Sequence, residues 1–121
     1  MIGSVPYMSP EQVLGHAVDH RSDIFSLGVA TYEMANGRLP FAGATPTETM
    51  DRILHAQPDP ISRVNPEVRV ALERVIGKCL EKDVARRYQS ARDLLTDLRA
   101  LKRETDAVSY THLTLPTIYS V

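Results

Sequence analysis

Few residues of this chain have the types and spacing that catalysis or metal binding requires. The four histidines do not combine with the single cysteine or with carboxylates at a spacing typical of zinc sites; they are His16, His20, His55 and His112. No G-x-S-x-G, H-E-x-x-H or Gly-rich phosphate loop occurs. The informative polar residues lie in the run Gly3–Glu11, at Asp23 and at Arg87. Their types and spacing predict neither a metal site nor a self-contained catalytic centre.

Three separated segments carry a resemblance to a known family. Gly3–Glu11 is G-S-V-P-Y-M-S-P-E, Asp23–Gly28 is D-I-F-S-L-G, and Lys82–Arg87 is K-D-V-A-R-R. In that order they resemble the G-T-x-x-Y-M-[AS]-P-E, D-x-[WYF]-S-x-G and K-D-P-x-x-R elements of serine/threonine protein kinases, most closely the bacterial members. Val84 replaces the usual proline of the third element, which predicts a less rigid turn.

The resemblance implies two anchors. Glu11 would form an ion pair with Arg87, because a planar guanidinium can hold a carboxylate through two hydrogen bonds. Asp23 would accept hydrogen bonds from the backbone of the family's catalytic loop. The simpler alternatives are that Glu11 and Arg87 are solvated surface charges, and that Asp23 only complements the dipole at the start of a helix. We favour the ion pair, because the three motifs occur together and in the family's order.

The resemblance also implies a peptide-docking segment. Val5, Pro6 and Tyr7 would form the floor against which the residue after the phosphoacceptor packs. The hydroxyl group of Ser4 would support the catalytic loop by hydrogen bonding. The alternative for this segment is a generic proline turn with a packed tyrosine. The implied partners are proteins or peptides that carry Ser or Thr.

The implied activity is transfer of the γ-phosphoryl group of ATP, with Mg²⁺, to a Ser or Thr hydroxyl. The Gly-rich loop, the strand lysine and the H-R-D and D-F-G motifs of the family do not occur in this sequence. We therefore expect a C-terminal kinase fragment that is inactive alone, with no cofactor or catalytic residue of its own and with ATP and Mg²⁺ bound by an intact parent. Two alternatives stay open: a non-catalytic helical interaction module that binds through Pro46–Ala56, and a fragment of a pseudokinase.

Composition excludes some classes of partner. The 121 residues include 14 basic and 15 acidic side chains, for a formal net charge of -1. A nucleic-acid surface would need a basic excess, so neither nucleic acid nor an anionic membrane is expected as a partner. The sequence contains no apolar run of the length that spans a membrane. The single Cys79 has helical spacing to apolar neighbours, which predicts a buried thiol and a cytoplasmic location.

Hydrophobic periodicity predicts an all-α fold. Met1–Gln12 is expected to be an extended loop that ends in a helical turn after Pro10. A helix from Arg21 or Ser22 to about Asn36 is apolar on every side and should therefore be central. Three amphipathic helices follow, and they begin at Pro46, at Pro66 and near Ser90. This order resembles the helical lower half of a protein-kinase C-lobe, part of a two-lobed α+β parent.

Two regions are predicted along the chain. Residues 1–104 would form a partial protein kinase domain, from the end of the activation segment to the last C-lobe helix. Residues 105–121 do not match, and Val108–Val121 is uncharged and Thr-rich with a β-like pattern interrupted by Pro116. This tail resembles a translated sequencing-adapter sequence, so we expect it to be disordered or an artefact of the gene model.

Overall fold

A computed structural model describes residues 2–64, 66–103 and 106 of the chain. This part contains α-helices and two 3-10 helices, Ile2–Tyr7 and Val84–Arg86, and no β-strand. The α-helices are α1 (Pro10–Val13), α2 (His20–Asn36), α3 (Pro46–His55), α4 (Pro66–Cys79) and α5 (91–103). The predicted all-α class is confirmed. Apart from Asp106, the tail predicted at 105–121 lies outside the described residues.

Local chemistry accounts for the helix ends. Asp19 caps α2 by accepting a hydrogen bond from the backbone N–H of Arg21 at 2.8 Å, so the helix begins at His20, slightly earlier than predicted. It ends at Asn36, and the C-cap residue Gly37 has a φ of 76°, which is readily adopted only by glycine. Thr45 caps α3 with Pro46 in the first helical position, as predicted.

Helix α2 contributes to both hydrophobic clusters of the core. One side of it carries Phe25, Val29 and Tyr32 into a cluster completed by Phe41, Ile53, Ile61, Ile76 and Leu80. Ile24 joins a second cluster, whose other members are Val75, Cys79, Tyr88 and Leu94. Burial raises the pKa of the Cys79 thiol to about 12, so this side chain acts as a small apolar group. The predicted central position of α2 and the predicted buried thiol are both observed.

Helices α2 and α4 approach each other closely at Gly28. A Cβ atom built on Gly28 would lie 2.5 Å from the Cβ of Cys79, which is too close for two carbon atoms. The glycine of the D-I-F-S-L-G motif is therefore required by helix packing. It lets the inner side of α2 approach α4 without a gap.

One side of α2 leaves large apolar side chains exposed. Leu27 is 48% exposed and Met34 is 78% exposed, although both are large apolar side chains. Leu27 borders a small cavity that it shares with residues of α4 and α5, but about half of it stays exposed, so the all-round apolar pattern exceeds what this part of the chain covers. None of the helices in the described ranges has the length and apolar character that a membrane span needs.

Candidate functional site

The segment predicted to dock peptides is helical, not extended. Ile2–Tyr7 forms a 3-10 helix that includes Pro6, and the N–H of Met8 donates to the carbonyl oxygen of Val5 at 3.1 Å. The expectation of an extended loop was wrong here because the fixed φ of proline is equally compatible with a 3-10 turn. Val5, Pro6 and Tyr7 are each partly buried. The Ser4 side chain lies outside the described residues, so its contact stays a prediction.

Two hydrogen bonds attach this segment to α2. The hydroxyl group of Tyr7 donates to the carboxylate of Glu33, and the hydroxyl group of Ser26 donates to the carbonyl oxygen of Tyr7 at 2.6 Å. The hydrogen bond to Glu33 raises the pKa of Tyr7. The position of Tyr7 is thus fixed at both its side chain and its backbone.

Helix α1 follows directly and has a complete capping box. The backbone N–H of Gln12 donates to the Ser9 hydroxyl at 3.3 Å, and the backbone N–H of Ser9 donates to the Gln12 side-chain oxygen at 2.8 Å. Pro10 occupies the first helical position, where its missing N–H has no consequence. This short helix orients Glu11, whose carboxylate faces the core.

Glu11 and Arg87 form a buried two-point ion pair across 76 positions of sequence. Arg87 Nη1 lies 2.7 Å from Glu11 Oε2, and Arg87 Nη2 lies 3.1 Å from Glu11 Oε1. The side chains are 0% exposed for Arg87 and 7% exposed for Glu11. Parallel hydrogen bonds of this kind fix orientation as well as distance. The structure therefore brings together the two residues that the resemblance paired, and it excludes their being solvated surface charges.

Arg87 makes two further hydrogen bonds. Nε donates to the carbonyl oxygen of Glu81 at 2.9 Å, and Nη1 donates to the carbonyl oxygen of Arg21 at 2.8 Å. The guanidinium carbon lies 5.1 Å from the centroid of the Phe25 ring. Arg87 thus connects α1, the start of α2 and the segment after α4, and we call this group of contacts the Arg87 joint.

Ser22 is a member of the joint that the sequence did not reveal. Its hydroxyl group donates to Glu11 Oε2 at 2.6 Å, and the residue is 2% exposed. Burial of Glu11 opposes its ionisation, but the hydrogen bonds from Arg87 and Ser22 outweigh that effect and lower the pKa of Glu11 to about 2. Glu11 is therefore ionised at neutral pH, and within the described residues no buried side-chain polar atom lacks a partner.

The turn before Arg87 forms although Val84 replaces proline. Asp83 Oδ1 accepts a hydrogen bond from the N–H of Ala85 at 2.9 Å, and the N–H of Arg87 donates to the carbonyl oxygen of Val84 at 3.3 Å. Side-chain capping by Asp83 thus supplies order that a proline would otherwise have supplied. Arg87 consequently keeps the position that its ion pair requires.

Asp23 is not part of the Arg87 joint. It lies in the first turn of α2 and is exposed, next in sequence to the buried Ser22. The structure shows the location that suits the helix dipole. The contact with a catalytic loop, which the resemblance implies, involves residues that this chain does not contain.

A cavity separates the 3-10 helix from the start of α3. It has a volume of about 420 Å³, and it is lined by uncharged residues of two segments, namely Val5, Pro6, Gly43, Ala44, Thr45, Pro46 and Thr49. Two of the three residues predicted to form a docking floor, Val5 and Pro6, therefore line this cavity. Sequence reasoning had missed the contribution of Gly43–Thr49.

Comparisons with known proteins show the family. The model of the protein kinase domain matches residues 1–98. A probable serine/threonine-protein kinase from Clostridium acetobutylicum is 37% identical over 102 residues, which cover 84% of this chain and 16% of the relative. Serine/threonine-protein kinase PknB from Mycolicibacterium smegmatis is 40% identical over 98 residues, covering 81% of this chain and 16% of the relative. Serine/threonine-protein kinase PrkC from Bacillus subtilis is 36% identical over 99 residues, which cover 82% of this chain and 15% of the relative.

The chain belongs to the protein kinase domain family. It spans 15% to 16% of the length of these three curated relatives. The family assignment made from the three motifs is confirmed, and the all-helical architecture agrees with a segment of the kinase C-lobe.

Proposed function

We propose that the chain is a C-terminal part of the catalytic domain of a serine/threonine protein kinase. The parent transfers the γ-phosphoryl group of ATP to Ser or Thr residues of protein substrates, and this part docks the substrate peptide. The observation that carries the proposal is the buried Glu11–Arg87 pair, because it joins α1, which directly follows the docking segment, to the helical core in a domain that matches the kinase family. Docking contributes to rate because phosphoryl transfer depends on positioning.

The residues of this chain do not fit a nucleotide or magnesium site. The sequence has no Gly-rich phosphate loop, and in the described ranges no three His, Cys, Asp or Glu side chains converge as metal ligands. ATP and Mg²⁺ therefore belong to the intact parent in this proposal. We expect the isolated chain to show no phosphoryl transfer. A cytoplasmic location is proposed for this part, because a buried free thiol suits a reducing compartment.

The cavity beside Val5 and Pro6 supports a proposal about the substrate. Its lining carries no charged side chain, so it favours a small or apolar side chain next to the phosphoacceptor and disfavours a charged one. Tyr7 helps to define this surface because its hydrogen bonds to α2 hold the adjoining backbone in place.

A chimera tests the proposed function. Residues 1–98 would replace the corresponding residues of Bacillus subtilis PrkC, and phosphorylation would be followed on peptides with Val, Asp or Lys after the phosphoacceptor. We expect transfer to Ser and Thr with a preference for Val. A Val5→Asp chimera should raise KM for the Val peptide more than it changes kcat. A folded chimera without activity would contradict the proposal and support a pseudokinase or an interaction module.

A further inference from the structure

The loop that precedes α3 forms one wall of the cavity of about 420 Å³, which we call the docking cavity. Side chains of α3 bond two backbone N–H groups of this loop. The N–H of Gly43 donates to Thr49 Oγ1 at 2.9 Å, and the N–H of Ala44 donates to Glu48 Oε2 at 3.1 Å. Both donors are therefore occupied within the chain, although Gly43 and Ala44 line the cavity.

Glu48 lies directly behind this wall. A Cβ atom built on Gly43 would lie 2.6 Å from Glu48 Cγ and 2.9 Å from Glu48 Cδ, so the side chain of Glu48 packs here because the wall residue is glycine. Oε2 of Glu48 is one hydrogen bond away from the backbone of Ala44, which lines the cavity. The docking cavity thus has an uncharged lining with a carboxylate immediately behind it.

Arg52 fixes the orientation of this carboxylate. Its Nη2 lies 2.7 Å from Glu48 Oε1, and its Nη1 donates to the carbonyl oxygen of Ala42 at 3.0 Å. Ala42 does not belong to the cavity lining. The cation is therefore bonded to one oxygen of Glu48 and to a residue outside the lining, whereas the other oxygen of Glu48 bonds a lining residue. A side chain in the cavity meets the negative end of the pair first.

We propose that Glu48 is a specificity-determining residue, which excludes substrates with an acidic side chain after the phosphoacceptor, and that Arg52 positions it. This inference rests on the proposed function, because it assigns the docking cavity to that substrate residue. Any charged side chain loses water on entering an uncharged cavity. An acidic side chain is also repelled by Glu48, and a basic one is attracted, so Glu48 separates the two.

Solvent limits the size of this effect. The exposed fractions of the two side chains are 41% for Glu48 and 46% for Arg52. Charges that are partly in water interact weakly and are screened by salt. We therefore expect changes of about threefold in KM ratios, which are measurable at low ionic strength.

Three charge-removing variants of the PrkC chimera test the proposal with the Asp and Lys peptides. Glu48→Gln keeps the shape and removes the charge, so KM for the Asp peptide should fall about threefold relative to KM for the Lys peptide. Arg52→Gln leaves the carboxylate uncompensated, so the same ratio should rise about threefold. Asp51→Asn is the matched control, because Asp51 is an exposed carboxylate of the same helix that does not line the cavity. It should leave the ratio unchanged, and kcat should be similar in all the variants.

Opposite shifts in Glu48→Gln and Arg52→Gln are the decisive result, because a loop that is merely loosened has no preference for one sign of charge. Shifts in the same direction, or a ratio that either variant leaves unchanged, overturn the proposal. An inactive wild-type chimera contradicts the proposed function instead. The same peptides would then be titrated into the isotope-labelled 121-residue chain and its variants, with the amides of Gly43 and Ala44 observed by NMR. The ratio of dissociation constants should show the same opposite shifts, and peptides that leave both amides unperturbed overturn the inference.

Discussion

The two sides of helix α2 differ in how far they are buried and hydrogen-bonded. On the inner side, Ser22 is buried and donates to Glu11, which also receives two hydrogen bonds from Arg87. On the outer side, Asp23 is exposed and Met34 is 78% exposed. Neighbouring residues of one helix thus have opposite environments, because successive positions differ by about 100° around the axis.

The contrast between the two sides of α2 shows which of its residues act within this chain and which do not. The inner side is explained by contacts within the described residues, which hold the docking segment to the core. Contacts within the described residues do not account for the residue types on the outer side. We interpret its exposed apolar residues as positions that other parts of a kinase domain cover. Substitutions on the two sides should therefore have very different effects on the stability of this chain.

The largest effect is expected from Arg87→Met. The variant leaves the carboxylate of Glu11 buried without its cation, which should reduce the free energy of unfolding by about 3 to 5 kcal/mol. Urea denaturation measures this change. Arg86→Met is the matched control, because Arg86 is exposed and its replacement should change stability by less than about 0.5 kcal/mol. Equal effects of the two variants would show that the joint contributes no stability.

A smaller loss is expected from Gly28→Ala. The added methyl group would meet Cys79 at the α2–α4 contact, and overpacking of this kind costs about 1 to 3 kcal/mol. Gly77→Ala is the control, because nothing lies within 4 Å of a Cβ at Gly77. That variant should be neutral or more stable, since alanine favours a helix interior over glycine. Thermal denaturation of both variants distinguishes tight packing from helix propensity.

Acid should weaken the contact of Glu11 with Arg87 and Ser22. The pKa of Glu11 is lowered from 4.5 to about 2 in the folded chain, so folding favours its ionised form. The resulting stability is present above pH 4.5 and is lost as the pH falls towards about 2. Asp19, whose pKa is also lowered to about 2 through hydrogen bonds from Arg21, adds to the same loss. The difference in unfolding free energy between wild type and Glu11→Gln should therefore shrink between pH 6 and pH 3, and a constant difference would contradict this explanation.

The smallest effect is expected from Asp23→Asn on the outer side. Asp23 is exposed, so only its favourable position near the helix N-terminus is lost. The unfolding free energy should change by less than about 1 kcal/mol. The same substitution in the PrkC chimera should reduce activity much more, if Asp23 contacts the catalytic loop there. A large loss of stability in the isolated chain would show that the outer side has partners within it.

Several parts of the fold could be predicted from short-range chemistry. Pro46 and Pro66 mark the starts of α3 and α4, and Gly37 marks the end of α2. These signals act on the backbone within a few residues of themselves, so a single sequence contains them. The pairing of Glu11 with Arg87 acts over a long sequence distance, and only the family resemblance made it predictable.

The missed features depend on three-dimensional proximity. Ser22 and Glu33 lie within the predicted helix α2, and their contacts were not predicted: Ser22 donates to Glu11 in α1, and Glu33 accepts from Tyr7 in the docking segment. The 3-10 helix at Ile2–Tyr7 was missed because proline allows both extended and 3-10 backbone.

A double-mutant cycle on Glu11→Gln and Arg87→Met tests most directly whether the Arg87 joint holds α1, and with it the end of the docking segment, to the core. The four unfolding free energies would be measured by urea denaturation at pH 7. We predict a coupling energy of at least about 2 kcal/mol, because each single variant leaves a buried polar group without its partner. Additivity within about 0.5 kcal/mol would contradict the account, because it would mean that the two side chains do not stabilise each other.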